Sequence, residues 1–411
     1  MKKEEEILII GGSMAGLLVA ISLKNRGYNV KIFERSTSSL ENRGAGIATH
    51  DELYEALEFA GLSLTASMGV VSDERLFFSK NGDVTHRLAM PQTMTSWGLI
   101  YRFLKLQLSA GDYYPNHCLS DISNASDGKI VAKFTNGDTA RGDFLVGADG
   151  SLSRVRQILL PHVKPEQSGY VAWRGLVNES DIPPSTLLKL ANKFSFALSE
   201  GGHWLGYLVA GPNDDLREGK RWYNWVWYQW EDTYSLERIH TDNSGNYYSA
   251  GIPPNLITER SKNYMRNKSS ELPRIIRELI TKTEAPFLQD IQDLCVDRLI
   301  FDNVVLIGDA ACTARPHVGL GVSKAASDAM TLTKALLSSD REEALNCWQQ
   351  SRLDFAKAVF RWSRDLGSYI GSRKKDKPTG FKADFYDDPN TLITQNASNR
   401  PSHYIKYYMT Q

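Results

Sequence analysis

The chain has 411 residues, 42% of them hydrophobic, and its 48 basic and 48 acidic side chains cancel to a formal charge of zero. At ~100–200 residues per domain this predicts two or three domains, and the lack of a basic excess argues against a nucleic-acid partner. No run reaches the roughly 18 apolar residues of a membrane span. Lys2-Lys3 leads straight into three glutamates, unlike a signal peptide. Cys118, Cys295, Cys312 and Cys347 show no C-x-x-C spacing, so neither a metal site nor thioredoxin-like chemistry is expected, and free thiols suit a reducing cytoplasm.

In chain order, Ile7–Ile10 is an apolar run expected of a parallel strand buried on both faces. It breaks at Gly11-Gly12-Ser13-Met14-Ala15-Gly16, and Leu17, Leu18, Ala20, Ile21 and Leu23 then follow helical spacing up to Gly27. Val30–Phe33 makes a second strand, ending at Glu34 with Arg35 beside it. The strand–turn–helix–strand unit predicts a dinucleotide site: glycines let the backbone approach a pyrophosphate, the helix N-terminus offers amide donors, and an acid suits ribose hydroxyls. Ser13 stands where the middle glycine is usual, and its hydroxyl can bond a phosphate oxygen. Glu34 lies 23 residues after Gly11, close to the spacing expected of that acid.

Further loops recur after apolar strands. Arg43-Gly44-Ala45-Gly46 precedes a helical pattern and, taken alone, reads equally as a flexible turn or as backbone running close to a flat ring. Phe144–Val146 ends in Asp149-Gly150 after Gly147. Val304–Ile307 ends in Gly308-Asp309, followed by Arg315-Pro316-His317, then Gly319-Leu320-Gly321 and a helix beginning near Val322. Open α/β sheets bind ligands beyond such strand ends. Asp309 suits sugar-like hydroxyls, and the last helix can aim its positive end at a reduced flavin.

With these loops in place, the sequence resembles the class A flavoprotein aromatic hydroxylases, the family of p-hydroxybenzoate hydroxylase, over roughly residues 5–365. Within that family the 2,6-dihydroxypyridine 3-hydroxylase branch looks nearest. It shares the serine variant of the first loop, a segment like Tyr170-Val171-Ala172-Trp173-Arg174-Gly175, the Arg315-Pro316-His317 stretch, and a Gly-His-x-x-x-Tyr element at His203 and Tyr207. Many members carry an FAD-contacting arginine where Trp97 stands, with Arg102 as a substitute here.

The resemblance implies non-covalent FAD, with NADH or NADPH as a transient co-substrate, in a glutathione-reductase-type Rossmann-like α/β domain. It also implies a cycle in which FAD is reduced, O2 adds as a C4a-hydroperoxide, and one oxygen passes to an electron-rich hydroxypyridine- or phenol-like ring. The partners implied are that small aromatic substrate and O2, and a homodimer stays open. The FAD domain would comprise residues 1–71, 98–169 and 281–365, a sheet-rich substrate domain 72–97 and 170–280, with 366–411 a tail of open structure.

Residues 194–230 predict an antiparallel meander. His203 and Tyr207 are four apart and so share a strand face; they are the candidate catalytic pair. In the run 222–230, Tyr223 and Trp225 share one face and Asn224, Val226 and Tyr228 the other. Tyr223, Trp225 and His317 join the pair as expected substrate contacts. A flavoprotein oxidase, a halogenase or a non-catalytic redox sensor on the same scaffold are the competing readings.

Overall fold

A computed structural model describes residues 4–38, 40, 46–62, 68–370 and 387–410. Glu6–Ile10 (β1) is followed by a helix, Met14–Lys24 (α1), and by Asn29–Phe33 (β2). β1 lies between β2 and Phe144–Gly147 (β3), parallel to both. That central position explains its continuous apolar run: Ile7, Leu8 and Ile9 have no exposed surface. Val304–Leu306 extends the sheet beside β3, and the whole sheet has six strands.

A second sheet of ten strands is mostly antiparallel. At its centre Glu166–Asn178 (β4) pairs with Trp222–Trp230 (β6) on one side and Phe287–Cys295 on the other. Gly202–Val209 (β5) pairs with β6 and with Lys193–Ser199, giving the expected meander. Gly46–Ala48 and Phe287–Cys295 also join this sheet, although they lie in stretches expected to belong with the FAD-binding parts. A three-stranded sheet, Leu119–Asn124, Ile130–Phe134 and Thr139–Gly142, completes the β structure of the described residues. None of the described helices is long and apolar enough to cross a membrane.

The ten-stranded sheet has two different faces. On one, Trp173, Trp204, Tyr223, Trp225 and Trp227 pack with Met265, Ile276, Leu279 and Ile280 of the helices Glu259–Lys268 and Arg274–Lys282. On the other, Tyr170, Leu205, Tyr207, Val226 and Tyr228 meet Ile370, Leu392, Ile393 and Ala397. The C-terminal stretch, left open by its sequence, therefore helps cover this second face through the helix Pro389–Gln395.

Arg75 anchors that cover. It has no exposed surface, and its guanidinium donates to the carbonyls of Ile393, Asn396 and Ala397 and to Gln92 Oε1 at 2.5–3.0 Å. Arg75→Met would strand buried acceptors and should destabilise the fold by about 3 kcal/mol or more. Thermal unfolding would record the loss, and limited proteolysis should show earlier cleavage around residues 390–397; an unchanged melting temperature would refute the anchoring role.

Candidate active site

The first loop lies between β1 and α1. Gly11 has φ +109°, a conformation that favours glycine, and a Cβ there would lie 2.3 Å from the Ala148 carbonyl oxygen. Ser13 precedes α1 in extended backbone (φ −103°, ψ −166°) and its hydroxyl does not cap the helix. A side chain is therefore tolerated at this middle position. Met14 and Ala15 turn their side chains into the core, and Gly16 lies in the first turn of α1. Glu34 is buried, and its carboxylate accepts from the backbone N–H of Gly12 and of Ser36, both at 2.9 Å.

These residues border a cavity of about 220 Å³ whose lining includes Gly11, Ser13, Glu34, Arg35, Asp149 and Gly150. Trp97 also lines it, stacked on Tyr101 with ring centroids 5.0 Å apart. Arg102, expected to substitute for the missing arginine, pairs with Asp214, its Nε donating to Oδ2 at 2.9 Å. His117, Cys118 and Leu119 line the cavity too and escaped the sequence reading. They lack a motif and arrive there only because the preceding strand, Tyr113–Tyr114, pairs with β2.

Asp149 turns inward on its own segment. Its carboxylate accepts from Ser153 Oγ at 2.5 Å and from the Arg154 N–H at 2.6 Å, fastening the helix Arg154–Leu159. Arg156, buried, donates to the carbonyls of Ser151 and Ala310 and so ties the Asp149-Gly150 loop to the Gly308-Asp309 loop. Asp309 itself is exposed.

Beneath Gly308 lies a buried ionic cluster on the helix Gly321–Leu336 (α2). Asp328 accepts from the Gly308 N–H at 2.9 Å, pairs with Lys324 at 3.0 Å and with Arg352 at 2.6 Å, while Lys324 donates to the Gly308 carbonyl. Burial alone would raise the Asp328 carboxyl, but Lys324 and Arg352 outweigh it and hold the group below its ordinary range.

The turn Pro316–Val318 leads through Gly319 and Leu320 to Gly321 and Val322, the first residues of α2. It also carries His317 to the second face of the ten-stranded sheet, where the Tyr170 hydroxyl lies 2.6 Å from His317 Nε2. His203 packs there, its ring 5.3 Å from that of His317 and 4.9 Å from that of Tyr228. Gly46 approaches so closely that a Cβ would lie 2.6 Å from the Tyr207 ring. Arg43, Gly44 and Ala45 fall outside the described residues.

One expectation needs correction. Tyr223 and Trp225 lie on the opposite face, in the core against the helices. Trp225 Nε1 donates there to Thr283 Oγ1 at 2.9 Å, so neither residue shares a pocket with His203. Tyr207 is not bonded to His203: the two pair with different residues of β6, Asn224 and Tyr228. The hydroxyl that meets His203, at Nδ1, belongs to Tyr369. Burial also sets the protonation of His203. It is wholly buried, and desolvation pushes it down to about 3, leaving a neutral ring and a weak base.

A family model described as FAD binding domain-like matches residues 167–293. The chain is 28% identical to 2,6-dihydroxypyridine 3-monooxygenase of Paenarthrobacter nicotinovorans over 94% of its own length and 98% of that protein's. It superposes on the structure of 2,6-dihydroxypyridine-3-hydroxylase from Arthrobacter nicotinovorans with a TM-score of 0.84 at 28% identity, covering 89% of this chain and 92% of the other. The fold is also similar to that of Klebsiella pneumoniae HpxO complexed with FAD and uric acid, with a TM-score of 0.76 at 18% identity, covering 100% of this chain and 98% of the other.

The buried neutral histidines make stability pH-dependent. His203 is lowered to about 3 and His50 to about 4, both by burial, whereas in the unfolded chain each titrates near pH ~6.5. The unfolded state thus binds the extra protons, and stability present above pH ~6.5 is lost as pH falls towards the folded values, by up to about 1.4 kcal/mol per unit for each histidine. Melting temperatures taken between about pH 7.5 and 5 should fall, and His203→Asn should flatten that slope by one histidine's share. An equal slope in the variant would refute the assignment.

Proposed function

We propose that the chain is a class A FAD-dependent aromatic monooxygenase that spends NADH or NADPH and O2 to hydroxylate an electron-rich hydroxypyridine- or phenol-like ring. The observation that carries this reading is the Tyr170–His317 bond. It joins the loop after Gly308-Asp309 to a buried aromatic and histidine face of the second sheet, so the cofactor loops and that face adjoin. The cleft residues fit FAD: the open N-terminus of α1 and Ser13 suit the pyrophosphate, Glu34 the ribose, Asp309 the ribityl chain, and the start of α2 at Gly321–Val322 the flavin ring. When bound non-covalently and reduced, FAD supplies the activation of O2.

The protein's own part is to place the ring and keep water out. His203 presents Nε2, which has no partner in the structure, to the enclosed face, while Tyr369 holds Nδ1. As a neutral group it would hydrogen-bond a ring oxygen rather than strip it of a proton. Tyr207 and Asn224 form the wall against which Gly46 lies. The free thiols agree with a cytoplasmic setting.

Two measurements test this reading. Purified protein incubated with FAD should be yellow, and a panel of phenols and hydroxypyridines should include one that stimulates NAD(P)H oxidation with oxygen incorporated into the product; a colourless protein, or oxidation yielding peroxide alone across the panel, would overturn it. Asp309→Ala should weaken FAD binding about 10- to 150-fold, from the loss of a charge-assisted bond worth roughly 1.5–3 kcal/mol, and an unchanged flavin dissociation constant would remove Asp309 from the site.

A further inference from the structure

Cys295 ends the strand Phe287–Cys295, and Cys312 opens the two-residue strand Cys312–Thr313 that follows the Gly308-Asp309 loop. The two strands run antiparallel with Cys295 directly opposite Cys312. The Val296 N–H donates to the Ala311 carbonyl at 3.0 Å, so the neighbouring cysteine pair is the one whose members share no backbone bonds and whose side chains come closest. Such a pair has Cα atoms ~4.5 Å apart, within the roughly 4.4–6.8 Å that a disulfide spans. The two cysteines stand 17 positions apart in the chain, so only the strand pairing brings them together.

Their thiols are unlike. Cys312 is 1% exposed, and its Sγ lies 3.7 Å from the Ala356 carbonyl oxygen. Cys295 is partly exposed. The facing Cys312 side chain holds the Cys295 thiol below its ordinary range, and the ammonium groups of Lys324 and Lys357 add to this against the effect of burial. Cys312, facing the Cys295 sulfur and desolvated, is pushed well above that range. Packing alone accounts for Cys312, since free cysteines are often buried. It does not account for a partly exposed thiol set opposite Cys312 in register. A thiol that ionises readily and is reached from solvent, beside one that stays protonated, is the arrangement of an attacking and a resolving cysteine.

We propose that Cys295 and Cys312 form a redox modification site, which hydrogen peroxide converts to a disulfide and dithiol reductants reopen. The Cys295 thiolate attacks one peroxide oxygen, the O–O bond breaks, and hydroxide leaves, giving a sulfenic acid at Cys295. The Cys312 sulfur then attacks the Cys295 sulfur and gives up its proton, and the sulfenic hydroxyl leaves as water. Two thiols are oxidised by two electrons in all, and one peroxide is reduced to two waters. The bond adds a covalent tie where Asp293, on the same strand as Cys295, already holds Arg315 at 2.6 Å. It would fasten the segment between the Gly308-Asp309 loop and His317 to the second sheet. A transient disulfide of this kind is compatible with a reducing compartment, and the inference stands without the hydroxylase reading.

The test exposes the full-length protein, reduced and then freed of reductant, to a small excess of hydrogen peroxide. Catalase stops the reaction, and the chain is unfolded and alkylated with N-ethylmaleimide. Alkylated thiols should fall from four to two per chain, the digest should contain a peptide linking Cys295 to Cys312, and dithiothreitol should restore all four. Cys312→Ala should abolish the link and leave a sulfenic acid at Cys295 that dimedone labels, whereas Cys295→Ala should leave Cys312 unlabelled. Retention of all four thiols overturns the proposal. So does a link through Cys118 or Cys347 in its place, a loss that dithiothreitol does not reverse, or dimedone labelling of Cys312 in the Cys295→Ala protein. The link is mapped in the wild-type chain, so a variant that fails to fold leaves that result decisive.

Discussion

The cofactor side of this protein depends on strand ends brought within backbone contact. β1 runs beside β3 in parallel register, so the turn after one meets the turn after the other, and Gly11 lies where a Cβ would sit 2.3 Å from the Ala148 oxygen. The third loop joins them through Arg156, which reaches from the helix after Gly150 to the Ala310 carbonyl, and through Asp328, which holds the Gly308 N–H from below. Each link uses a buried charge whose hydrogen bonds are largely met, so the loops are positioned by groups that would be costly to leave unmade.

The second sheet shows what happens when burial is equal but chemistry differs. Its helix-covered face holds tryptophans in an apolar core. Its other face holds Arg174, His203, Asn224 and His317, all buried and each with a polar atom left unpartnered. The same desolvation that lowers His203 and His317 strengthens any hydrogen bond or charge contact made there. A face of this kind is poor for stability and well suited to holding a small polar ring, the usual trade between a stable core and a working site.

The C-terminal stretch changes how that site is enclosed. Arg75 fixes residues 393–397 against the sheet, the Ala397 N–H donates to the His317 carbonyl at 2.7 Å, and Tyr369 meets His203. Residues far apart in the chain thus close one face, and a change at residue 75 can reach the histidines without touching them.

By itself the sequence determined what has a local period or a local rule. The buried strand Ile7–Ile10, the glycine turn, the helix up to Lys24 and the acid at Glu34 are written within about thirty residues, and the meander of 194–230 shows in its alternation. Alternation also separates Tyr223 and Trp225 from Asn224, Val226 and Tyr228. It cannot say which group faces the histidines, because that depends on which layer packs on which side. Nor does it show that Tyr369 rather than Tyr207 meets His203, or that Arg102 is engaged by Asp214. Those outcomes were decided by tertiary structure, since Asp214 lies 112 positions from Arg102 and Tyr369 166 from His203, and no local pattern records such a meeting.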